Sequence, residues 1–164
     1  MARPPKNRQP GLYTTSEVAT KLGLDEWRVK SFSKGEVYGL PPSFQVGTGR
    51  GSRRLYTDED IVRIAVAYDL LESGFGSKVI GEAVKAISPP EVIERIVKDI
   101  KAGKNCVLAL ADGKWSVKSA AEIEKVVHKV VRDKWEPHPI FILNLADFFD
   151  STVWRFREKR GPNT

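Results

Sequence analysis

Helical periods of apolar residues run through this chain, and four of them open on a capping box, in which a hydroxyl caps the helix and an acid three residues on caps back. Thr14-Thr15-Ser16-Glu17 begins a helix over 16–22 that Gly23 stops, and Asp25 is placed to cap the next, over about 26–34. Thr57-Asp58-Glu59-Asp60 opens a longer helix with Ile61, Ile64, Ala65, Tyr68 and Leu71 as its inner stripe, ended by Gly74. Ser88-Pro89-Pro90-Glu91 is the third box, and Val92, Ile93, Ile96, Val97 and Ile100 follow it as far as Gly103. The last third changes period. Cys106–Leu110 and Trp115–Val117 flank Asp112-Gly113, which predicts a hairpin. Ser119-Ala120-Ala121-Glu122 is the fourth box and leads a helix with Ile123, Val126, Val127, Val130 and Val131 inward. After the breakers Pro137 and Pro139, Ile140–Leu143 predicts a short buried strand. Asn144-Leu145-Ala146-Asp147 then predicts a final helix carrying Phe148, Phe149, Val153, Trp154 and Phe156. The expected class is α+β, mostly α, with a small β-β-α-β-α unit at the end.

Two features of the first third carry candidate chemistry. The two short helices are joined by a three-residue turn, with Val18, Ala19, Leu22, Val29 and Phe32 as a small core, which is a helix-turn-helix layout. Arg28, Lys30, Ser31 and Lys34 then project outward from its second helix, supplying the donors that phosphates and major-groove base edges accept. Farther on, Phe44-Gln45-Val46 and Arg54-Leu55-Tyr56 pair around the tip Gly47-Thr48-Gly49-Arg50-Gly51-Ser52-Arg53, which reads as a wing. Its glycines let backbone approach phosphates closely and its arginines supply counter-charge. A phosphate-cradling nucleotide loop is a poorer reading, because no Gly-Lys-Ser/Thr follows and no helix starts at the glycines.

Charge sharpens this reading. The net charge of +6 lies wholly in residues 1–56, where ten Lys or Arg face four acids; residues 57–164 balance. Such asymmetry marks a polyanion-binding front end. Residues 1–11, proline-rich and basic, predict a disordered arm whose Arg3, Lys6 and Arg8 either follow a DNA groove or hang free. No apolar stretch approaches the roughly 18 residues of a membrane span, and the start lacks a signal-peptide core, so a cytoplasmic location is expected. The single cysteine, Cys106, excludes internal disulfides and cysteine-cluster zinc sites. His128 sits on a polar face beside Lys125, Lys129 and Arg132, and no nucleophile–base arrangement has motif-like spacing. No enzyme activity, metal or cofactor is expected.

Tyr13-Thr14-Thr15-Ser16-Glu17-Val18-Ala19, Leu22-Gly23-Leu24, Arg54-Leu55-Tyr56-Thr57-Asp58-Glu59-Asp60-Ile61 and Leu71-Glu72-Ser73-Gly74-Phe75 together resemble the MerR-type winged helix-turn-helix, over about residues 12–87. The resemblance implies a dimer that grips a near-palindromic DNA operator through recognition helix and wing, with RNA polymerase as a further partner. It departs from the family in three places, one of them an insertion around Pro41-Pro42 and Arg50-Gly51-Ser52 that gives a longer, more basic wing. Lys30-Ser31-Phe32 stands where the family has an Arg-Tyr-Tyr run, exchanging a forked guanidinium for a point charge. The long dimer helix of the family is reduced to about 15 residues over Ser88–Ala102, which sets promoter twisting aside. Family metal sensing uses cysteines behind that helix; Cys106, alone in an apolar strand, reads as structural.

The expected organisation is an arm at 1–11, a winged helix-turn-helix at 12–87, a connecting helix at 88–104 and an oligomerisation or regulatory unit at 105–160. The DNA-binding candidates are Thr15, Ser16, Trp27, Arg28, Lys30, Ser31, Lys34, Arg50, Arg53, Arg54 and Tyr56. For Trp27, a place on the sugar–phosphate backbone and one beneath the wing are equally open. Aromatic residues crowd the last third, and the interface reading ranks first, ahead of core and effector pocket. The interface candidates are Ile96, Ile100, Phe148, Phe149, Trp154 and Phe156. The function expected is that of a dimeric, bacterial-type transcriptional regulator reading double-stranded DNA. The alternatives are an excisionase-like architectural factor, or a small-molecule or protein-interaction sensor on the same fold.

Overall fold

The computed structural model describes residues 11–34, 38, 40, 43–46, 53–111, 113–119, 121–125, 128, 141–145, 149–150 and 155–156, with 44–46 and the last two pairs described by backbone alone. Helix and strand are mixed. The order is β1 (Tyr13–Thr14), α1 (Thr15–Leu22), α2 (Glu26–Phe32), β2 (Phe44–Val46), β3 (Arg53–Tyr56), α3 (Asp58–Glu72), α4 (Ser77–Ile87), α5 (Pro90–Lys101), β4 (Cys106–Ala111), β5 (Lys114–Ser119), β6 (Phe141–Asn144), β7 (Phe149–Asp150) and β8 (Arg155–Phe156). Residues 121–125 are also helical. The strands form antiparallel sheets in the orders β1-β3-β2, β5-β4-β6 and β7-β8.

The helix α3 is the axis of the molecule. Ile61, Val62, Ile64, Ala65, Val66, Ala67 and Leu70 are all buried, so apolar contact surrounds it rather than lying along one stripe. It packs against α1, α2, α4 and α5. Leu71, expected on the inner stripe, is instead 40% exposed, in the last turn of α3, where the inward position is taken by Leu70. The buried residues form one continuous cluster from Val18 on α1 to Leu143 and Leu145 beyond β4. Phe75, Trp115 and Phe141 extend it edge to face, with centroids 4.8–6.2 Å apart. Trp115 and Phe141, both half-buried, therefore pack against the chain's own core.

One helix has no counterpart among the expected elements, and two expectations need correction. The helix α4 follows no capping box: its cap, Gly76, offers no side chain, and only the stripe Ile80, Ala83, Val84, Ile87 announces it. The Ser88 box does not form, since the Ser88 hydroxyl donates back to the Val84 carbonyl at 2.7 Å, and α5 starts on Pro90 after an uncapped Pro89. The final helix is replaced by the β7–β8 pair, in which Phe149 faces Phe156 in register, and Asn144 belongs to β6 opposite Val107. Aromatic residues suit a pleated strand at least as well as a helix, and short apolar runs cannot separate the two by period. Phe148, Val153 and Trp154 lie outside the described residues.

The hairpin after α5 and the fourth capping box are present. The hairpin pairs Leu110 with Trp115 and Ala111 with Lys114. The Ser119 box is formed: its N–H and O–H each donate to Glu122 Oε2 at 2.8 Å and hold that carboxyl below the usual carboxylate range. The apolar positions Val126, Val127, Val130 and Val131 fall outside the described residues. No helix among those described is long and apolar enough to cross a membrane.

Candidate nucleic-acid interface

The turn between α1 and α2 is set residue by residue. The Thr14 N–H donates to Glu17 Oε2 at 2.9 Å and the Glu17 N–H returns to Thr14 Oγ1 at 3.4 Å, fixing the entry to α1. Its exit needs a left-handed residue, which Gly23 supplies at φ +63° while Leu24 N–H reaches the Ala19 carbonyl at 2.9 Å. Asp25 occupies the cap of α2 but makes no side-chain cap bond; its carbonyl instead accepts from the amides of Arg28 and Val29 at 3.0 and 3.3 Å. Val18, Ala19, Leu22, Val29 and Phe32 are buried, as the period requires. Trp27, Lys30 and Ser31 fall at helical spacing on the side of α2 away from that core, with Trp27 63% exposed; α2 ends at Phe32, short of the expected 34, and Lys34 lies exposed in the turn beyond it.

The strands that follow are tied to α2 and α3 at three points. Tyr56 is fully buried, and its hydroxyl lies 2.8 Å from Ser33 Oγ. Because that Oγ donates to the Val29 carbonyl at 2.7 Å, the tyrosine is the donor and a three-group chain joins β3 to α2. Asp60, 5% exposed, accepts from the Thr57 and Ser43 amides at 3.1 and 3.0 Å and from Arg63 at 3.1 Å, anchoring the segment before β2 to the start of α3. The Arg54 guanidinium donates to the Lys30 carbonyl at 3.4 Å. This last contact sets β3 beside the final turn of α2.

The candidate residues therefore separate. Lys30, Lys34 and Arg53 are exposed, and Arg54 is half-buried beside Lys30. Lys30 also meets Glu26 one turn back at 3.2 Å, an exposed pair that a phosphate can displace. Ser31 is half-buried and spends its proton on the Arg28 carbonyl at 2.7 Å, leaving an acceptor outward. Thr15 and Ser16 stand on the first turn of α1, half-buried and exposed. Tyr56, expected at the DNA, is a core anchor. Arg50, with the glycine-rich tip at 47–52, lies outside the described residues. Arg28 does not point freely outward: its guanidinium is 3.4 Å from Glu72 and 5.7 Å from the ring centroids of both Trp27 and Tyr68. No pattern in the sequence announces Glu72 or Ser43 as partners, because both contacts span chain separations that only the fold closes.

Elsewhere the chemistry is sparse. Among the described residues no group of three His, Cys, Asp or Glu side chains is placed to hold a metal. Cys106 is buried, and loss of solvation pushes its thiol up to about 11, so it stays protonated and poorly nucleophilic. His128 is exposed, 3.9 Å from Glu124. Ile96 and Ile100, expected at an interface, are buried in the chain's own core, and the exposed side chains of α5 beyond Pro90 are charged. What the first third offers is a set of cations on a rigid turn, beside an exposed indole. Residues 13–87, just under half of the chain, match the family model described as MerR HTH family regulatory protein. No curated protein matches the chain.

Proposed function

We propose that residues 13–87, which match the MerR model, work as a helix-turn-helix of that type, and that the protein is a sequence-reading regulator of transcription that grips double-stranded DNA with α2 in the major groove and the β2–β3 strands as a wing on the backbone. The observation that supports this best is the Arg54–Lys30 contact, which brings wing strand and recognition helix into one basic surface. Lys30, Lys34, Arg53 and Arg54 are then the phosphate-seeking residues, and Arg28 and Ser31 are those that read bases. A single module of this size makes too small a footprint for specific affinity, so the working form is a homodimer on a two-fold site. Bound at a promoter, such a dimer acts on RNA polymerase.

Selection of bound sequences from a random duplex pool tests the proposal. A near-palindrome is expected, and binding to it should fall with salt at a log–log slope of about −5 or steeper. A flat salt response, or no enriched sequence, overturns it. One observation favours a second reading, an architectural DNA-bending factor: α5 is 12 residues long and buries Ile93, Ile96, Val97 and Ile100 inward, leaving no apolar seam for a long dimer helix. An 18.3 kDa monomer in sedimentation, on and off DNA, selects that reading.

A further inference from the structure

One arginine of α2 is held by a helix that does not itself enter the proposed interface. Glu72, the last residue of α3, lies 3.4 Å from the Arg28 guanidinium, which also rests 5.7 Å over the Trp27 ring and 5.7 Å over the Tyr68 ring. Both partners of the ion pair remain substantially in solvent, with side chains 39% and 41% exposed, so the pair is reversible. We propose that Glu72 is a specificity-setting residue: it withholds Arg28 from phosphates and yields it only to a base edge. The proposal rests on the DNA-reading function given above.

The reasoning is a comparison of exchanges. A backbone phosphate offers Arg28 charged oxygens in a solvated setting, the same chemistry that the Glu72 carboxylate already supplies; leaving that carboxylate and two ring faces for it exchanges like for like and gains little. The O6 and N7 acceptors of a guanine offer two directed hydrogen bonds matched to the guanidinium fork, at the floor of a groove from which water is displaced. Only the second exchange favours release. Specificity is a difference between affinities, and a device that penalises the wrong contact raises it without adding to the right one. Glu72 is then a positioning residue for Arg28, and its effect must pass through that side chain.

The test uses the full chain, the best duplex recovered from the random pool, and a random-sequence duplex of equal length. Glu72→Gln keeps size and removes charge. Its affinity for the random duplex is expected to rise about three- to tenfold, with the salt slope on that duplex steeper by about one. Affinity for the selected duplex should change less, so the ratio of the two falls at least threefold. In an Arg28→Ala background the same substitution should leave the ratio unchanged. Glu72→Ala serves as a second variant, expected to lower the ratio in the same way. An equal rise on both duplexes makes Glu72 a general repellent of DNA and overturns the proposal. An unchanged ratio with a lowered melting temperature makes the pair a helix tie and overturns it too. A wild-type protein that prefers no duplex removes the DNA-reading function and this inference together, whereas a wild-type preference that Glu72→Gln leaves intact removes the inference alone.

Discussion

Tyr56 shows how a single side chain can be read correctly for its place and wrongly for its task. Its position at the end of a wing strand suggested a hydroxyl near phosphate, yet the ring is fully buried and the hydroxyl donates to Ser33 Oγ at 2.8 Å. A buried hydroxyl with a partner contributes about 1 kcal/mol net, and its removal leaves Ser33 without a donor but still able to donate to Val29. Tyr56→Phe should therefore lower unfolding free energy by about 0.5–1.5 kcal/mol and leave DNA affinity unchanged below the melting range. Denaturant melts beside a titration of the selected duplex check this. A loss of DNA affinity without a loss of stability would return the hydroxyl to the phosphate. Arg28 teaches the same lesson: its type and spacing were legible, but its hold on Glu72 depends on where α3 ends, 44 residues later.

At the scale of elements, local chemistry was legible where a side chain did the capping. The boxes at Thr14, Thr57 and Ser119 all form, because each needs only residues three apart to fold back on one another. Where backbone or tertiary contact sets the start, the signal was absent or misleading, as with Gly76 before α4 and Ser88 before α5. The strand pair β7–β8 could not be told from a helix by spacing alone. The Thr57 box also does more than cap. Its Asp60 carboxylate is nearly out of solvent and gathers the Ser43 amide, so one residue joins the approach to β2 to the axis of the fold. Asp60→Asn removes the charge and one acceptor while leaving donors pointed at it, a change that should cost about 1.5–3 kcal/mol. Because Ser43 precedes β2, the variant should also weaken DNA binding at temperatures where α1 and α2 remain folded, as amide exchange would show. Undiminished binding with the expected loss of stability would separate the β2–β3 strands from the Asp60 anchor.

Over the whole molecule, charge and core tell different stories. The charge divides the chain, with the whole +6 in residues 1–56, and suggests a reading head on a neutral remainder. The core does not divide: Val18, Phe32, Leu70, Ile96, Leu108, Leu143 and Leu145 belong to one buried cluster. Charge is a surface property that needs no tertiary contact, so it is visible in sequence; the continuity of a core arises only when α3, α4 and β5 pack together. The consequence is cooperativity. Leu145, 1% exposed, lies at the far end of the chain from α1, next to the Leu143–Leu108 pairing of β6 on β4. Leu145→Ala deletes buried methyl groups and leaves a cavity, which should cost about 2–5 kcal/mol. If the halves shared no core, the variant would melt in two steps, with DNA binding lost at the wild-type temperature and only the far sheet lost early. With a shared core, helix content and DNA binding should be lost together, in one transition at a lower temperature. Following ellipticity and bound duplex through the same thermal ramp distinguishes the two outcomes. Two separated transitions would mean that the head is stable without the residues behind it, and that the cluster joining them contributes little to its fold.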